Sequence, residues 1–277
     1  MRRRLVPEVI QTSGMDCGPA CLTALLRGHG IAASYGRLRE ACQTDVDGTS
    51  IDTVEEIARE LGLDVEQIMV PVDHVLLPGY EATPSVAVTR QPNGATHFVV
   101  LWGRTLGRFQ IMDPARGRRW VAPHALGDEL YVHELEVPAA DWREVAAGDE
   151  LRVPLAARLT ALGVADPARL IDGALVDASW RSIAALDAAT RMVAAIASAG
   201  GLARGRHAAR LVEALAAEAA NGGDVIPDIY WYARATRDPD AVRIRGAVLV
   251  HVTGQHAAAP ASPELAAALT EPEPRPW

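Results

Sequence analysis

The chain has no lysine and no strongly basic segment, and this limits the classes of partner to be expected. All 27 basic residues are arginines, and with 35 acidic residues the net charge is −8 and the isoelectric point about 5.5. Beyond the N-terminal arginines at positions 2–4 the sequence shows no basic face or tail. Proteins that bind the phosphate backbone of nucleic acids need such a concentration of positive charge. We therefore expect no nucleic-acid partner.

Cysteine is also scarce. The chain of 277 residues has three cysteines, Cys17, Cys21 and Cys42. An odd and small number argues against a disulfide framework and indicates a reducing compartment. No second Cys/His pair with ligand spacing follows Cys17 and Cys21, so we expect no zinc site, no other metal and no cofactor.

Long apolar runs are missing as well. No window of roughly 18 to 20 apolar residues exists, and no apolar run follows the N-terminal arginines, so we predict neither a membrane span nor a signal peptide. No phosphate-binding GxxxxGK[ST] motif occurs, which predicts that this chain does not itself hydrolyse ATP. Apolar residues still make up 49% of the chain, enough for a buried core.

The most informative stretch that is present runs from Gln11 to Cys21 (QTSGMDCGPAC). Cys17 lies at the predicted start of a helix, where unpaired backbone N–H groups and the helix dipole stabilise a thiolate. The side-chain amide of Gln11 is placed to donate to an oxyanion near that sulfur. Together with His97 and Asp113 on later predicted strands, these are the components of a papain-like cysteine peptidase.

Hydrophobic periodicity predicts an α+β first part of the chain, with N-terminal helices followed by an antiparallel sheet. The predicted helices are residues 17–27, 35–42 and 51–61, and the predicted strands are residues 85–89, 97–102, 108–112 and 130–137. His97 and Asp113 then fall on neighbouring antiparallel strands, where their side chains can meet if the register allows it.

The composition changes after Asp149. Alanine-rich helices are predicted over residues 154–162, 167–175, 179–198 and 203–219, followed by a β-hairpin of residues 229–235 and 242–252. From position 257 the chain has the Ala/Pro/Glu-rich composition of a linker. We therefore predict a peptidase domain over 1–147, a mainly helical accessory or docking domain over 148–256, and a linker or tail over 257–277.

Residues 11–30 (QTSGMDCGPACLTALLRGHG) resemble the bacteriocin-processing double-glycine peptidases, which are papain-like domains at the N-termini of peptidase-containing ABC transporters. The resemblance extends over about residues 7–135. It continues at residues 47–50 (DGTS), 58–63 (ARELGL), 96–101 (THFVVL) and 112–117 (MDPARG).

The resemblance implies a role for each matching residue. Cys17 is the nucleophile, His97 the general base and later acid, and Asp113 the residue that orients His97. Gln11 lines the oxyanion hole with the backbone N–H of Cys17. The family removes a leader peptide after a pair of small residues, usually Gly-Gly, and the transporter exports the mature peptide.

Three further residues next to these positions are predicted to bind substrate: Asp16, Gly18 and Thr96. For Asp16 the sequence favours a helix N-cap as its main role, with a secondary role in the site. The expected partners are a precursor peptide with its leader and the membrane and nucleotide-binding parts of an ABC transporter. The chain is then either a free-standing peptidase or the front end of an exporter, and its expected location is the cytoplasm, at the face of the membrane when coupled to an exporter.

Two alternatives remain open. One is a non-catalytic module of the same fold that only docks the leader peptide, although the presence of Cys17 counts against it. The other is a papain-like acyl transferase, in which an amine rather than water accepts the acyl group. The sequence does not separate hydrolysis from transfer.

Overall fold

The computed structural model describes residues 3–42 and 48–256. The predicted tail 257–277 and Asp47 of the predicted DGTS turn lie outside these residues. The chain divides into two compact units, one of Met1–Val132 with Ala247–Trp277 and the other of His133–Gly246. Within the described residues, none of the helices combines the length and apolar character that a membrane crossing requires.

The helices of the first unit begin with α1, which starts at the cysteine that the sequence singles out. The helices are α1 (Cys17–Gly28), α2 (Tyr35–Ala41), α3 (Ile51–Glu60), α4 (Val72–Leu76) and α5 (Pro123–Glu129). Pro19 lies in the first turn of α1, where its missing N–H is not needed. Leu22, Leu25 and Leu26 of α1 are fully buried. The three helices predicted for this part are confirmed as α1, α2 and α3, and α4 and α5 are additional.

The first unit contains a single antiparallel sheet in the described residues, in the strand order β1-β8-β2-β3-β4-β5. Its strands are β1 (Leu63–Val70), β2 (Ser85–Arg90), β3 (Thr96–Thr105), β4 (Arg108–Asp113), β5 (Gly117–Val121) and the second half of β8 (Ala241–Gln255). One sheet face packs Val100 and Met112 with the apolar side chains of α1, and the other packs Leu101 and Ile111 with Leu126 of α5. The predicted α+β class, with N-terminal helices and an antiparallel sheet, is confirmed.

Strand β8 differs most from the prediction. Its first residues, Val242–Ile244, pair with β7 (Ala233–Ala235), which confirms a hairpin. From Ala247 onward, however, β8 pairs with β1, and its residues Leu249–His251 also pair with β2. This long-range pairing places residues 247–255 in the first unit, so the compact units differ from the predicted boundaries at 147 and 256.

The second unit is mainly helical. It contains all but the first residue of β6 (Val132–Pro138), together with α6 (Ala139–Ala147), α7 (Asp149–Ala161), α8 (Pro167–Leu175), α9 (Arg181–Ser198), α10 (Arg206–Ala220), β7 and the start of β8. The predicted alanine-rich helices correspond to α7–α10. Inside this unit the carboxylate of Asp187 on α9, which is 1% exposed, forms ion pairs with Arg158 and Arg191.

Candidate active site

The start of α1 presents a partly exposed thiol. Cys17 is the first residue of α1 and is half-buried, whereas Cys21 and Cys42 are buried. Burial raises the pKa of Cys42 to about 12 and, together with the nearby Cys17, raises the pKa of Cys21. Of these three thiols, which are all in described residues, Cys17 is the one that a substrate can reach.

The side chains of His97 and Asp113 meet on neighbouring strands, so the register allows the contact that the sequence left open. His97 is the second residue of β3 and Asp113 the last residue of β4, which lies next to β3. Nε2 of His97 is 2.9 Å from Oδ1 of Asp113, and both side chains are about 5% exposed. The backbone N–H of Ala115 donates to the same Oδ1 at 3.0 Å. The carboxylate is therefore fixed in position while it contacts the imidazole.

The surroundings of the pair favour an imidazolium next to a carboxylate. Burial by itself lowers the pKa of His97, but its hydrogen bond with Asp113, the nearby Cys17 thiol and the charges of these two groups raise that pKa to about 9. For Asp113, burial raises the pKa, but the bonds from His97 and Ala115 and the charge of Arg119 lower it below its usual value of 3.8. Because both Asp113 and Cys17 act on the pKa of His97, these three side chains influence one another electrostatically.

Arg119 lies on the other side of Asp113. This residue of β5 places Nε 3.5 Å from Oδ2 of Asp113. Its guanidinium also donates to both carboxylate oxygens of Glu129, the last residue of α5. Arg119 and Glu129 are not among the predicted site residues, because neither β5 nor α5 is predicted from the sequence. The pattern Asp-Pro-Ala-Arg-Gly after β4, typical of a tight turn, was the available signal for a returning strand.

Gln11 is attached to the turn that follows Asp113. Its backbone N–H donates to the carbonyl oxygen of Pro114 at 3.0 Å. Its side-chain Oε1 is buried and has no hydrogen-bond partner among the described residues. The structure thus brings Gln11 to the Asp113-Pro114 turn, while the loop that follows it leads directly to Cys17.

The carboxylate of Asp16 does not cap α1. Asp16 does occupy the predicted N-cap position, and its carbonyl oxygen accepts from the N–H of Ala20 at 3.1 Å, but its side chain makes no hydrogen bond with the helix N-terminus. Instead it accepts hydrogen bonds from the hydroxyl groups of Thr12 and Tyr35 and pairs with Nε of Arg39 at 3.1 Å. These partners lie away from the first turn of α1, and they leave Asp16 only 1% exposed.

The other two predicted substrate-binding residues lie in different surroundings. Gly18 is buried in α1, and a Cβ atom at this position would lie 2.9 Å from Cβ of Thr49. Thr96 is exposed at the start of β3, opposite Arg90 of β2. Substrate binding by Asp16, Gly18 and Thr96 stays a prediction.

An open cavity of about 490 Å³ adjoins the His97–Asp113 pair. Its lining also includes Arg90, Arg116 and Arg119, beside the acidic residues of α5. Within the described parts of the chain no group of three or more His, Cys, Asp or Glu residues is placed to hold a metal ion. The groups at this site that can take part in acyl transfer are the thiol of Cys17, the imidazole of His97 and the carboxylate of Asp113.

Residues 6–130 match the Peptidase C39 family. The match covers slightly less than half of the chain and contains Gln11, Cys17, His97 and Asp113. It confirms the predicted resemblance to bacteriocin-processing peptidase domains, and it confirms the cysteine peptidase class for this segment.

Curated relatives carry related names. The chain is 29% identical over 155 residues to the probable microcin-H47 secretion/processing ATP-binding protein MchF of Escherichia coli, covering 55% of this chain and 21% of the relative. It is 29% identical over 110 residues to the lactococcin-G-processing and transport ATP-binding protein LagD of Lactococcus lactis, covering 40% and 16%. The chain thus spans about a fifth or less of the length of these relatives.

One solved structure is that of a double glycine motif protease from an AMS/PCAT transporter in complex with the leader peptide. It is 23% identical, covers 46% of this chain and 87% of its own, and has a TM-score of 0.41.

Proposed function

We propose that this chain is a cysteine endopeptidase that removes leader peptides from small precursor peptides by cutting after a Gly-Gly-type pair. The observation that carries the proposal is the buried, hydrogen-bonded His97–Asp113 pair together with the half-buried Cys17 thiol at the start of α1, which lies near enough to raise the pKa of His97. In acyl transfer, the thiol of Cys17 is the nucleophile and the imidazole of His97 is the base. The carboxylate of Asp113 orients the imidazole.

Acylation begins when the Cys17 thiol transfers its proton to His97. The Nε2 atom of His97 is engaged by Asp113, which leaves Nδ1 for the thiol. The thiolate attacks the carbonyl carbon of the scissile peptide bond, and the backbone N–H of Cys17 and the amide of Gln11 stabilise the resulting oxyanion. His97 then gives its proton to the leaving amine, the C–N bond breaks, and a thioester with the leader remains.

Deacylation uses the same groups in reverse roles. His97 takes a proton from a water molecule, whose oxygen attacks the thioester carbonyl, and the C–S bond breaks as the thiolate leaves. The products are a leader with a free carboxylate and the regenerated pair of Cys17 and His97. Asp113 remains ionised throughout and stabilises the imidazolium.

The proposed partners are a precursor peptide with its leader and the membrane and nucleotide-binding parts of an ABC transporter, either in the same longer chain or separate. The names of the relatives, which join processing, secretion or transport with ATP binding, support this. A peptidase that acts before export works on the cytoplasmic face of the membrane, so we place the chain there.

The decisive experiment is mass spectrometry of a synthetic precursor with a Gly-Gly leader after incubation with the protein. Wild type, Cys17→Ala and Cys42→Ala are compared, because the two variants each remove one thiol but only Cys17 is in the site. We expect cleavage after the small pair by wild type and Cys42→Ala, and no cleavage by Cys17→Ala.

Other outcomes would contradict the proposal. Leader binding without cleavage in all three proteins would favour the non-catalytic docking module. Products whose mass increases by that of an added amine, in place of the free acid, would indicate the acyl transferase.

A further inference from the structure

Three side chains outside the proposed catalytic set form a compact hydrogen-bonded cluster. The hydroxyl of Tyr35, on α2, accepts from the backbone N–H of Thr12 at 3.0 Å and donates to Oδ2 of Asp16 at 3.2 Å. The hydroxyl of Thr12 donates to the same Oδ2 at 3.0 Å. Burial raises the pKa of Tyr35, so its hydroxyl keeps the proton that it donates to Asp16.

The residues of this cluster are next to two proposed active-site residues in the sequence. Thr12 directly follows Gln11, and Asp16 directly precedes Cys17. The residues between them, 13–15, are exposed. The cluster therefore closes a short loop whose two ends carry the proposed oxyanion donor and the proposed nucleophile.

We infer that Tyr35 is a positioning residue of this active site, and that the Thr12–Asp16–Tyr35 cluster fixes the side chain of Gln11 relative to Cys17. The inference rests on the proposed function. Tyr35 touches neither the substrate nor the reacting atoms; it acts through Thr12 and Asp16.

The physical requirement for such a cluster is strict. An oxyanion donor contributes only when it lies about 2.7–3.1 Å from the oxygen on which charge develops. Gln11 is fixed on one side by the hydrogen bond from its N–H to Pro114. The cluster supplies the second attachment, to the helix that carries Cys17, and the ion pair of Asp16 with Arg39 holds the carboxylate in place. Without the second attachment the loop can move while the first remains.

Tyr35→Phe tests this role, because it removes the hydroxyl and keeps the ring. Two rates are measured on the same protein: kcat for cleavage of the Gly-Gly precursor, and the rate at which iodoacetamide alkylates Cys17. Alkylation depends on the thiolate but forms no oxyanion on a carbonyl. We expect kcat to fall about tenfold, less than the roughly 10²–10³-fold cost of losing an oxyanion donor itself, and the alkylation rate to stay within about twofold.

A second comparison uses Gln11→Ala. If Tyr35 acts through Gln11, then adding Tyr35→Phe to Gln11→Ala lowers kcat no further. Ser13→Ala is the matched control, since the Ser13 hydroxyl accepts from Met15 N–H within the same loop but does not contact the cluster. We expect its kcat to equal that of wild type. Thr12→Val, at an exposed position, removes one hydrogen bond of the cluster and serves if Tyr35→Phe does not fold.

Three results would overturn the inference. The first is an unchanged kcat in both Tyr35→Phe and Thr12→Val, and the second is an equal fall of kcat and of the alkylation rate in Tyr35→Phe. The third is that Tyr35→Phe lowers kcat by the same factor in the Gln11→Ala variant as in wild type. These results differ from a failure of the proposed function, in which the wild-type protein itself would not cleave the precursor.

Discussion

Asp113 lies between two basic groups, with its Oδ1 2.9 Å from Nε2 of His97 and its Oδ2 3.5 Å from Nε of Arg119. A buried carboxylate remains charged only when such partners offset the loss of hydration. The arrangement keeps Asp113 ionised, and an ionised Asp113 in turn holds the proton on His97.

Replacing Asp113 by Asn is expected to reduce kcat on the order of 10⁴-fold, because the amide no longer stabilises the charged imidazole or fixes its tautomer. Precursor turnover measures the effect, and circular dichroism checks the fold. Asp128→Asn is the control, since Asp128 lines the same cavity and is exposed. A comparable loss in both variants would argue against an orienting role for Asp113.

Activity is expected to fall as the pH rises through about 9, because the raised pKa of His97 keeps the proton that the leaving amine needs up to that pH. The profile of kcat/KM between pH 6 and 11 measures this on any cleaved precursor. A basic limb centred near 6.5, the ordinary pKa of histidine, would contradict the prediction.

The same shift affects stability. Since the folded pKa of His97 lies above its ordinary value of 6.5, its interactions stabilise the fold fully below that pH, and this contribution disappears as the pH rises through about 9.

Gly28→Ala is expected to lower the free energy of unfolding by about 1–3 kcal/mol, because overpacking displaces a well-packed neighbour. A Cβ atom at Gly28 would overlap the indole ring of Trp102, which is buried and donates a hydrogen bond to the carbonyl oxygen of Arg3. Denaturant unfolding measures the change.

The control for this substitution is Gly36→Ala on α2, where a Cβ would meet no atom within 4 Å. We expect that variant to be unchanged, or more stable by about 0.5–1 kcal/mol. Equal unfolding midpoints for the two variants would show that the contact with Trp102 does not limit the size of residue 28.

Asp187→Asn is expected to destabilise the second unit by about 3–5 kcal/mol, because Arg158 and Arg191 lose the buried carboxylate that balances their charges. Asp172→Asn removes the partner of Arg152 in a mostly exposed pair and should cost less than about 1 kcal/mol. Thermal unfolding measures the loss of stability in the two variants. Similar losses would show that the buried ion pairs of Asp187 stabilise the protein no more than the exposed pair of Asp172.

The helix that starts at Cys17 and the strands that carry His97 and Asp113 could be predicted from the sequence, because their signals are local: a proline in the first helical turn and runs of apolar residues between turns. Strands β1 and β5 could not be predicted from the sequence. Glu66 and Gln67 interrupt the apolar pattern of β1, and Arg118 and Arg119 interrupt that of β5. The position of Arg119 beside Asp113 depends on that missed strand. The partners of Asp16 also come from elsewhere, because Tyr35 reaches it from a different helix.

The position of strand β8 limits how the peptidase segment can be expressed on its own. Residues 247–255 fill the space between β1 and β2, although they follow the family match, which ends at residue 130, by more than a hundred positions. A truncation that stops near residue 147 would remove that strand and expose the backbone N–H and C=O groups of two sheet edges to water and to other chains, a known route to aggregation. An expression product meant to isolate the peptidase should therefore supply this strand, for example by a circular permutation that places it ahead of residue 3.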